Sequence, residues 1–347
     1  MKRQNPIARL RQRRRLRRIM RRIEKKRRRG RYFARAWNKY VRISAPKTFT
    51  LGRENPRQKL LKFITKLRTV HALERKWVCI DFSETKKMIA DGTLIFYAEI
   101  SRLRRLTANL RLPLRCIAPR DPKVAQVMKQ VGIFDLLNYR NKINPTFSDV
   151  IHWRSARGRE VDGAEYDSIL GSYDGRIAEV LGKKFFSGLT EAMTNCQHHA
   201  YIQMRPDGLE EMNEPKEWWM FSQEKDGWLS VVFCDLGIGI PGSLPLKNPS
   251  LWQRIIATFG TDLDGHAIQE AIEYSKTRTG RHHRGKGLKQ LIDVVSSASG
   301  GRVDIFSNKG RFSLKSGREK TNHFKDNIFG TLIHWTVPIG DITDDTV

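Results

Sequence analysis

The N-terminal segment of this chain carries too many cations to form an ordinary apolar core by itself. Residues 1–56 hold 22 Lys and Arg but only two acidic residues, so +20 of the net charge of +29 lies there. The rest of the chain carries only +9, and 39% of all residues are hydrophobic, enough for about two domains of ~100–200 residues each. The sequence therefore predicts a basic arm over residues 1–56 and a mildly basic α/β body after it.

The arginine-rich centre of the arm predicts contact with a polyanion. Like charges repel along the segment, so we expect it to be largely disordered or helical when free. Binding that releases counterions from phosphates depends strongly on salt and little on base sequence. We therefore assign nucleic-acid binding to residues 1–40, with an acidic protein surface or anionic lipid as the rival target. The assigned side chains are Arg13, Arg14, Arg15, Arg17, Arg18, Arg21, Arg22, Arg27, Arg28 and Arg29.

The sequence argues against a membrane-spanning protein and against mitochondrial import. The sequence has no stretch of about 18 or more apolar residues, which predicts no membrane span. A mitochondrial presequence would be rich in serine, but the first serine is Ser44. The cysteines stand singly without CxxC spacing, which predicts buried thiols in a reducing compartment. We expect a cytoplasmic protein, associated with the nucleoid if the arm binds DNA. The cysteines are Cys79, Cys116, Cys196 and Cys234.

Residues 57–142 alternate between helix-like and strand-like segments, which predicts a small α/β unit. Strands are expected at 77–83 and 114–119. Asp121 followed by Pro122 has the residue types of a helix N-cap and first helical position.

The same unit has a strand that ends in Asp81, a helix start at 88–93 and a late helix that ends at 131–133. In these features it resembles a STAS domain, the fold of the anti-sigma-factor antagonists. Phosphorylatable members of that family have a serine just before the glycine, where this chain has Asp91 before Gly92. Asp91 therefore either mimics a phosphoserine or caps the following helix.

The second predicted unit, residues 150–347, contains four short motifs. In the first, Glu191 and Asn195 are four residues apart on an apolar-periodic helix, so both side chains lie on one face. A carboxylate there can accept a proton beside an amide oxygen that holds Mg²⁺. Such pairs also occur on ordinary solvated helix faces.

The second motif is a buried strand that runs into Asp235, followed by Gly237 and Gly239. A single buried carboxylate is a suitable acceptor for the amino group of adenine, and glycines let the backbone approach a flat ligand. The fourth motif is a terminal strand in which Thr331 offers a hydroxyl beside Gly330.

The third motif is a glycine-rich turn, 285–287, that leads into a helix with free amide donors for phosphate. The apolar face of that helix is expected to comprise Leu288, Leu291, Ile292 and Val295. Residues 280–286 nearly match a P-loop, but Gly287 stands where the Mg²⁺-binding hydroxyl belongs and no apolar strand precedes the segment. We reject the P-loop interpretation.

In this order the four motifs resemble the GHKL (Bergerat) ATP-binding fold of gyrase, the Hsp90 chaperones, MutL and the histidine kinases. The string EAMTN…HAY is most similar to the anti-sigma-factor serine kinases. The resemblance covers about residues 180–340 and implies a two-layer α/β sandwich with ATP and Mg²⁺ as cofactors. It implies that Glu191 is the general base, Asn195 the Mg²⁺ ligand and Asp235 the adenine acceptor, that Gly237 and Gly239 line the nucleotide, that Gly285, Lys286 and Gly287 contact the phosphates, and that Thr331 supports the adenine end.

The sequence thus predicts a Mg-ATP-binding regulatory switch with slow hydrolysis or serine/threonine phosphotransfer, tethered to nucleic acid by the arm. The lid between the second and third motifs, with its cationic run at 276–286, would close over the triphosphate. The main alternative is a nucleic-acid-binding regulator that senses ATP without catalysis. A third hypothesis is an intramolecular kinase pair with Asp91 as pseudo-substrate. A regulated protein partner and self-association are compatible with all three.

Overall fold

The computed structural model describes residues 18, 20–22, 24, 39–162, 164, 169–171, 179–209, 214–260, 263–277, 287–296 and 300–339. Within them the protein is mixed α/β, with a three-stranded parallel sheet, a seven-stranded antiparallel sheet and a two-stranded parallel pair. Of the ten arginines assigned to nucleic acid, Arg18, Arg21 and Arg22 are described and exposed. The other seven lie outside the described residues.

The N-terminal unit is built on the three-stranded sheet, in the order β1-β3-β5. Its elements are β1 (Val41–Ser44), β2 (Thr48–Phe49), α1 (Glu54–Leu67), β3 (Val78–Asp81), β4 (Lys87–Met88), α2 (Ala90–Leu106), β5 (Leu114–Ile117), α3 (Pro122–Gln130), α4 (Ile133–Leu136) and α5 (Ser148–Ile151). Both predicted strands are present. The predicted helix start is confirmed, because Asp121 Oδ1 accepts the N–H groups of Lys123 and Val124 at 3.0 and 3.1 Å.

The structure moves the N-terminal boundary of the folded body to about residue 41. Strand β1 pairs in parallel with β3, and Ile43 at its centre is buried. The predicted boundary at residue 56 falls inside α1 and is therefore wrong. A four-residue strand with a single buried side chain has too little periodicity to be recognised beside a segment of such high charge.

The C-terminal unit is built on the seven-stranded sheet, in which every neighbouring pair is antiparallel. The strand order is β11-β10-β9-β12-β8-β7-β6. Its elements are β6 (Arg154–Gly158), α6 (Glu179–Asn195), β7 (Trp218–Lys225), β8 (Trp228–Asp235), α7 (Gly239–Lys247), α8 (Pro249–Phe259), α9 (Leu263–Thr277), α10 (Gly287–Ser296), β9 (Arg302–Ser307), β10 (Gly310–Lys315), β11 (Arg318–His323) and β12 (Thr331–Pro338).

One face of the large sheet is covered by α6 and α10. Val231 and Phe233 share an apolar cluster with these helices. The helices approach closely, since a Cβ on Gly188 would lie 2.9 Å from the Val294 side chain. Trp335 Nε1 ties the sheet to α10 by donating to the Leu291 carbonyl at 2.6 Å. The apolar face predicted for α10 is confirmed, with Leu291, Ile292 and Val295 buried and Leu288 partly buried.

The opposite face of the same sheet is covered by α2 of the N-terminal unit. Val232 and Leu332 lie on this face and belong to one apolar cluster that extends through α2 to Ile43. The rings of Tyr97 on α2 and Phe221 on β7 are 5.4 Å apart. Helix α2 therefore forms a layer beyond the expected two-layer sandwich, and the two predicted units share a hydrophobic core.

A buried cluster of charges also joins the two units. The Asp207 carboxylate pairs through Oδ2 with Arg102 at 2.5 Å, with Arg68 at 3.1 Å and with Arg205 at 3.1 Å. Burial acts to raise the pKa of Asp207, but the guanidinium groups of Arg205 and Arg102 outweigh it, so the pKa is lowered. Glu99 pairs with Arg205, and Glu214 pairs with Arg102 at 2.7 Å. Three cations thus face three carboxylates.

All four cysteines are free and buried, which confirms the predicted buried thiols. Among the described residues, we find no helix with the length and apolar character needed to cross a bilayer.

We expect Asp207→Ala to lower the free energy of unfolding by about 3–5 kcal/mol, because it leaves buried guanidinium groups without their shared anion. Urea denaturation of the full chain measures the change. Glu84→Ala is the control, since its exposed pair with Arg120 should contribute at most about 1 kcal/mol. Equal losses in the two variants would show that the cluster does not hold the units together.

Candidate functional site

Three polar residues lie side by side across the large sheet: Asp235 and Thr331, which the sequence predicted, and Ser307, which it did not. Thr331 on β12 is directly opposite both Asp235 on β8 and Ser307 on β9. Asp235 has the same strand parity as Val231 and Phe233, so its side chain is on the face covered by α6 and α10. Ser307 Oγ lies 3.1 Å from Thr331 Oγ1. The structure thus brings a carboxylate and two hydroxyls together at one end of the sheet.

Asp235 is a buried carboxylate held by backbone amides. Its Oδ1 accepts N–H groups from Gly237 at 2.9 Å and from Thr331 at 3.3 Å. Burial raises the pKa of Asp235 to about 6, and the two amide hydrogen bonds limit the rise. Both hydrogen bonds found within the described chain end on Oδ1, which leaves Oδ2 with acceptor capacity for a ligand.

The backbone after Asp235 lies directly against the end of α6, where residues 196–200 form a wide π-helical turn. Ile238 N donates to the Ala200 carbonyl at 2.8 Å. A Cβ on Gly237 would overlap with that carbonyl group, so only glycine permits this approach. The contact places the strand end that carries Asp235 beside the helix that carries Glu191 and Asn195.

Gly239 makes a second close approach, at the start of α7. Its φ is +74°, and a Cβ there would lie 2.7 Å from Asn308 Oδ1 and 2.8 Å from Ser307 Oγ. Ile240 N donates to Ser307 Oγ at 2.8 Å, and Asn308 Nδ2 donates to the Ile238 carbonyl at 2.9 Å. The glycine therefore lets the 237–240 backbone lie on the ends of the central strands.

On α6, Glu191 and Asn195 are neighbours, as their spacing predicts. Burial raises the pKa of Glu191, and the adjacent Asn195 amide partly offsets the rise. Asn195 Nδ2 is buried, and no hydrogen-bond partner is found for it within the described part of the chain. Nδ2 is a hydrogen-bond donor, so the ligand group that satisfies it is an acceptor oxygen, and the amide oxygen is the atom able to hold a cation.

The glycine-rich turn is only partly described. Gly287 is the first residue of α10, whose N-terminal turn is tied to α9 because Lys289 N donates to Ser275 Oγ at 3.0 Å. Gly285 and Lys286 lie outside the described residues, as do 278–284 of the predicted lid.

Sequence reasoning missed Ser307, Asn308 and Tyr201. Tyr201 Oη accepts the Leu236 N–H at 3.1 Å and donates to the Glu217 carbonyl at 2.5 Å, which supports the backbone behind Asp235. For Ser307 and Asn308, the sequence did contain an indication, which is a polar pair at the end of a buried strand. The role of Tyr201 could not be predicted, because its hydrogen-bond partners Leu236 and Glu217 are distant from it in the sequence.

Asp91 lies on the other side of the large sheet from Asp235. Ile89 occupies the N-cap position of α2, and Asp91 is a buried first-turn residue that accepts a hydrogen bond from Thr50 Oγ1 at 3.4 Å. Burial lowers the pKa of His334, and the charge of Asp91 opposes that shift. His334 has the parity of Leu332 on the face towards α2. This arrangement disfavours Asp91 as a pseudo-substrate of the site in the same chain.

No cluster of three or more His, Cys, Asp or Glu side chains that could hold a metal ion occurs among the residues the structure describes. The oxygen ligands that α6 offers to an ion are the amide oxygen of Asn195 and the carboxylate of Glu191. They fit an ion that takes most of its oxygen ligands from a bound phosphate and water, as Mg²⁺ does.

No protein-family model matches this chain, and no match is found among curated proteins.

Proposed function

We propose that this protein is a Mg-ATP-binding regulatory switch that hydrolyses ATP slowly or transfers its phosphate to a serine or threonine. The observation that carries the proposal is the meeting of Asp235 and the close-approach glycines with the end of α6. That helix brings Glu191 and Asn195 to the same region.

The adenine end of the nucleotide would lie against Asp235. Its Oδ2 accepts the exocyclic amino group, while Oδ1 stays bonded to the amides of Gly237 and Thr331. Gly237 and Gly239 would position the backbone at this end, because their missing side chains let it pack against Ala200, Asn308 and Ser307. Ser307 and the Thr331 hydroxyl support this end from the neighbouring strands.

The phosphate end would lie between α6 and the N-terminus of α10. Asn195 would hold Mg²⁺ through its amide oxygen, and the amides near Gly287 would face the phosphates. Mg²⁺, when bound, neutralises phosphate charge and makes the terminal phosphate more electrophilic. Glu191, with its raised pKa, is suited to take a proton from the attacking water or hydroxyl.

The charge distribution supports nucleic acid as the tether. Residues 1–56 carry +20, whereas the remainder of the chain carries +9. A second candidate, a regulator that binds nucleic acid and senses ATP without catalysis, has the same nucleotide site, so turnover separates the two.

Asp235→Asn should weaken ATP binding about 10- to 100-fold, the equivalent of the roughly 1.5–3 kcal/mol of a hydrogen bond to a charged group. Asparagine keeps an oxygen for the two backbone amides but presents a donor to the adenine amino group. Titration calorimetry with ATP and ITP measures the effect. The wild type should prefer ATP, and the variant should lose that preference, because ITP has an acceptor in place of the amino group.

The same pair of proteins gives a pH test. Because the pKa of Asp235 is about 6, the wild type should bind ATP fully above that pH and lose affinity as the pH falls through it. Asp235→Asn should show no such step. An unchanged ATP preference and pH profile in the variant would contradict the adenine assignment.

Glu191→Gln should reduce ATP turnover by at least about 10²-fold, the contribution typical of a general base, and leave ATP affinity nearly unchanged. Phosphate release and ATP titration measure the two quantities on the same sample. Wild-type turnover in the variant would exclude Glu191 as the base. No turnover in the wild type, with ATP still bound, would favour the sensing alternative.

Removal of residues 1–38 should remove most of the affinity for nucleic acid and leave ATP turnover intact. The cut keeps Tyr40, whose ring packs 5.4 Å from that of Trp77 on the body. Fluorescence anisotropy with a labelled oligonucleotide measures binding. A truncated chain that binds as tightly as the full chain would refute the arm as the tether.

A further inference from the structure

An open cleft of about 600 Å³ lies where the two units meet, and none of its lining residues belongs to the candidate nucleotide site. One wall is α1 and the turn after it, including Thr65 and Thr69. The other wall is the segment 325–329 that precedes β12, together with Lys309. Neither the resemblances nor the four motifs assign any role to this cleft.

Four lysines from both walls face the cleft: Lys62, Lys66, Lys309 and Lys325. All four are exposed, and none makes an ion pair within the described part of the chain. Two carboxylates also line it. Glu74 pairs with Lys76 at 2.6 Å, and Asp326 lies beside the buried Arg57. The lining therefore has a net positive charge.

The arrangement of the lysines is unfavourable without an anion. Lys62 and Lys66 are four residues apart on α1, a spacing at which like charges destabilise a helix. Lys309 and Lys325 are brought together because Phe324 N donates to the Lys309 carbonyl at 2.8 Å. A bound polyanion would relieve the repulsion on both walls.

The two walls are held at a fixed separation. Arg57 on α1 is buried and donates to the carbonyl groups of Asn308 and Asp326 at 3.3 and 3.2 Å. Its guanidinium also lies 4.2 Å from the centre of the Phe324 ring. The cleft is thus preorganised, which lowers the entropic cost of binding a ligand across it.

The basic arm joins the body beside this cleft. Tyr40 and Lys39 contact the Trp77 ring, and Trp77 is three residues beyond Glu74 in the cleft wall. Three residues span at most ~11 Å. A polyanion bound by the arm would therefore be delivered to the mouth of the cleft.

We propose that this cleft binds the phosphate backbone of a nucleic-acid strand whose adjoining segment is held by the arm. Lysine side chains on opposite walls contact successive phosphates, and the threonine hydroxyls donate to phosphate oxygens. The inference rests on the nucleic-acid part of the proposed function and adds a folded site to it.

The test compares two fourfold variants of the full chain with equal loss of charge. The cleft variant is Lys62→Gln, Lys66→Gln, Lys309→Gln and Lys325→Gln. The control variant replaces four other exposed lysines that make no ion pair with a described residue: Lys86→Gln, Lys87→Gln, Lys315→Gln and Lys320→Gln. The probe is a fluorescein-labelled single-stranded DNA of about 20 nucleotides, longer than the ~4–16 that one binding groove contacts. Anisotropy is measured over a series of salt concentrations, and melting temperatures check the fold.

The cleft variant should bind the probe at least about tenfold more weakly than the control. It should also reduce the slope of log K against log salt by about 3, because each of the four lost phosphate contacts on a single strand removes about 0.7. Equal affinities and slopes in the two variants would overturn the cleft site while leaving the arm assignment intact. A wild type that does not bind the probe would overturn both. Displacement of the probe from the wild type by millimolar inorganic phosphate, with no difference in slope between the variants, would identify a small-anion site and also overturn the proposal.

Discussion

The central strands of the seven-stranded sheet are buried on both faces, and the remaining architecture depends on that constraint. Successive residues of a strand, such as Val232 and Phe233, point to opposite faces and belong to different apolar clusters. Helices α6 and α10 cover one face, and α2 of the N-terminal unit covers the other. Without α2, the apolar side chains of the second face would be exposed to water. The N-terminal unit is therefore part of the core of the C-terminal one.

The two faces of the sheet have different chemistry. The face towards α6 ends in the carboxylate of Asp235 and the hydroxyls of Ser307 and Thr331, where we propose that nucleotide binds. Beside the face towards α2 lies the buried ion cluster around Asp207, which is formed by α2, the turn after α1 and residues 205–214 and fixes the two units through paired charges. The turn before β12 connects the regions, because it lines the lysine cleft at Phe329 and enters the candidate site two residues later at Thr331.

Local signals in the sequence predicted the elements best. The Asp121-Pro122 pair predicted a helix start because its mechanism involves only the next few backbone amides. The apolar periodicity of α10 and the buried strand before Asp235 were also visible, since each reflects one face of one element. Strand β1 was missed because its stability comes from pairing with β3, 37 residues later at Val41 and Val78, and not from its own four residues.

The sequence by itself determined which chemical groups are present and where the charge lies: a carboxylate after an apolar strand, glycines behind it, an amide four residues from a glutamate, and a basic arm. Only the tertiary structure decided which of these groups meet. The approach of Gly237 to Ala200, the bridge from Asn308 to Ile238 and the lysines that face each other across the cleft all join residues far apart in the chain. Such contacts depend on how the sheet is ordered and covered, and no local pattern of residue types encodes that order.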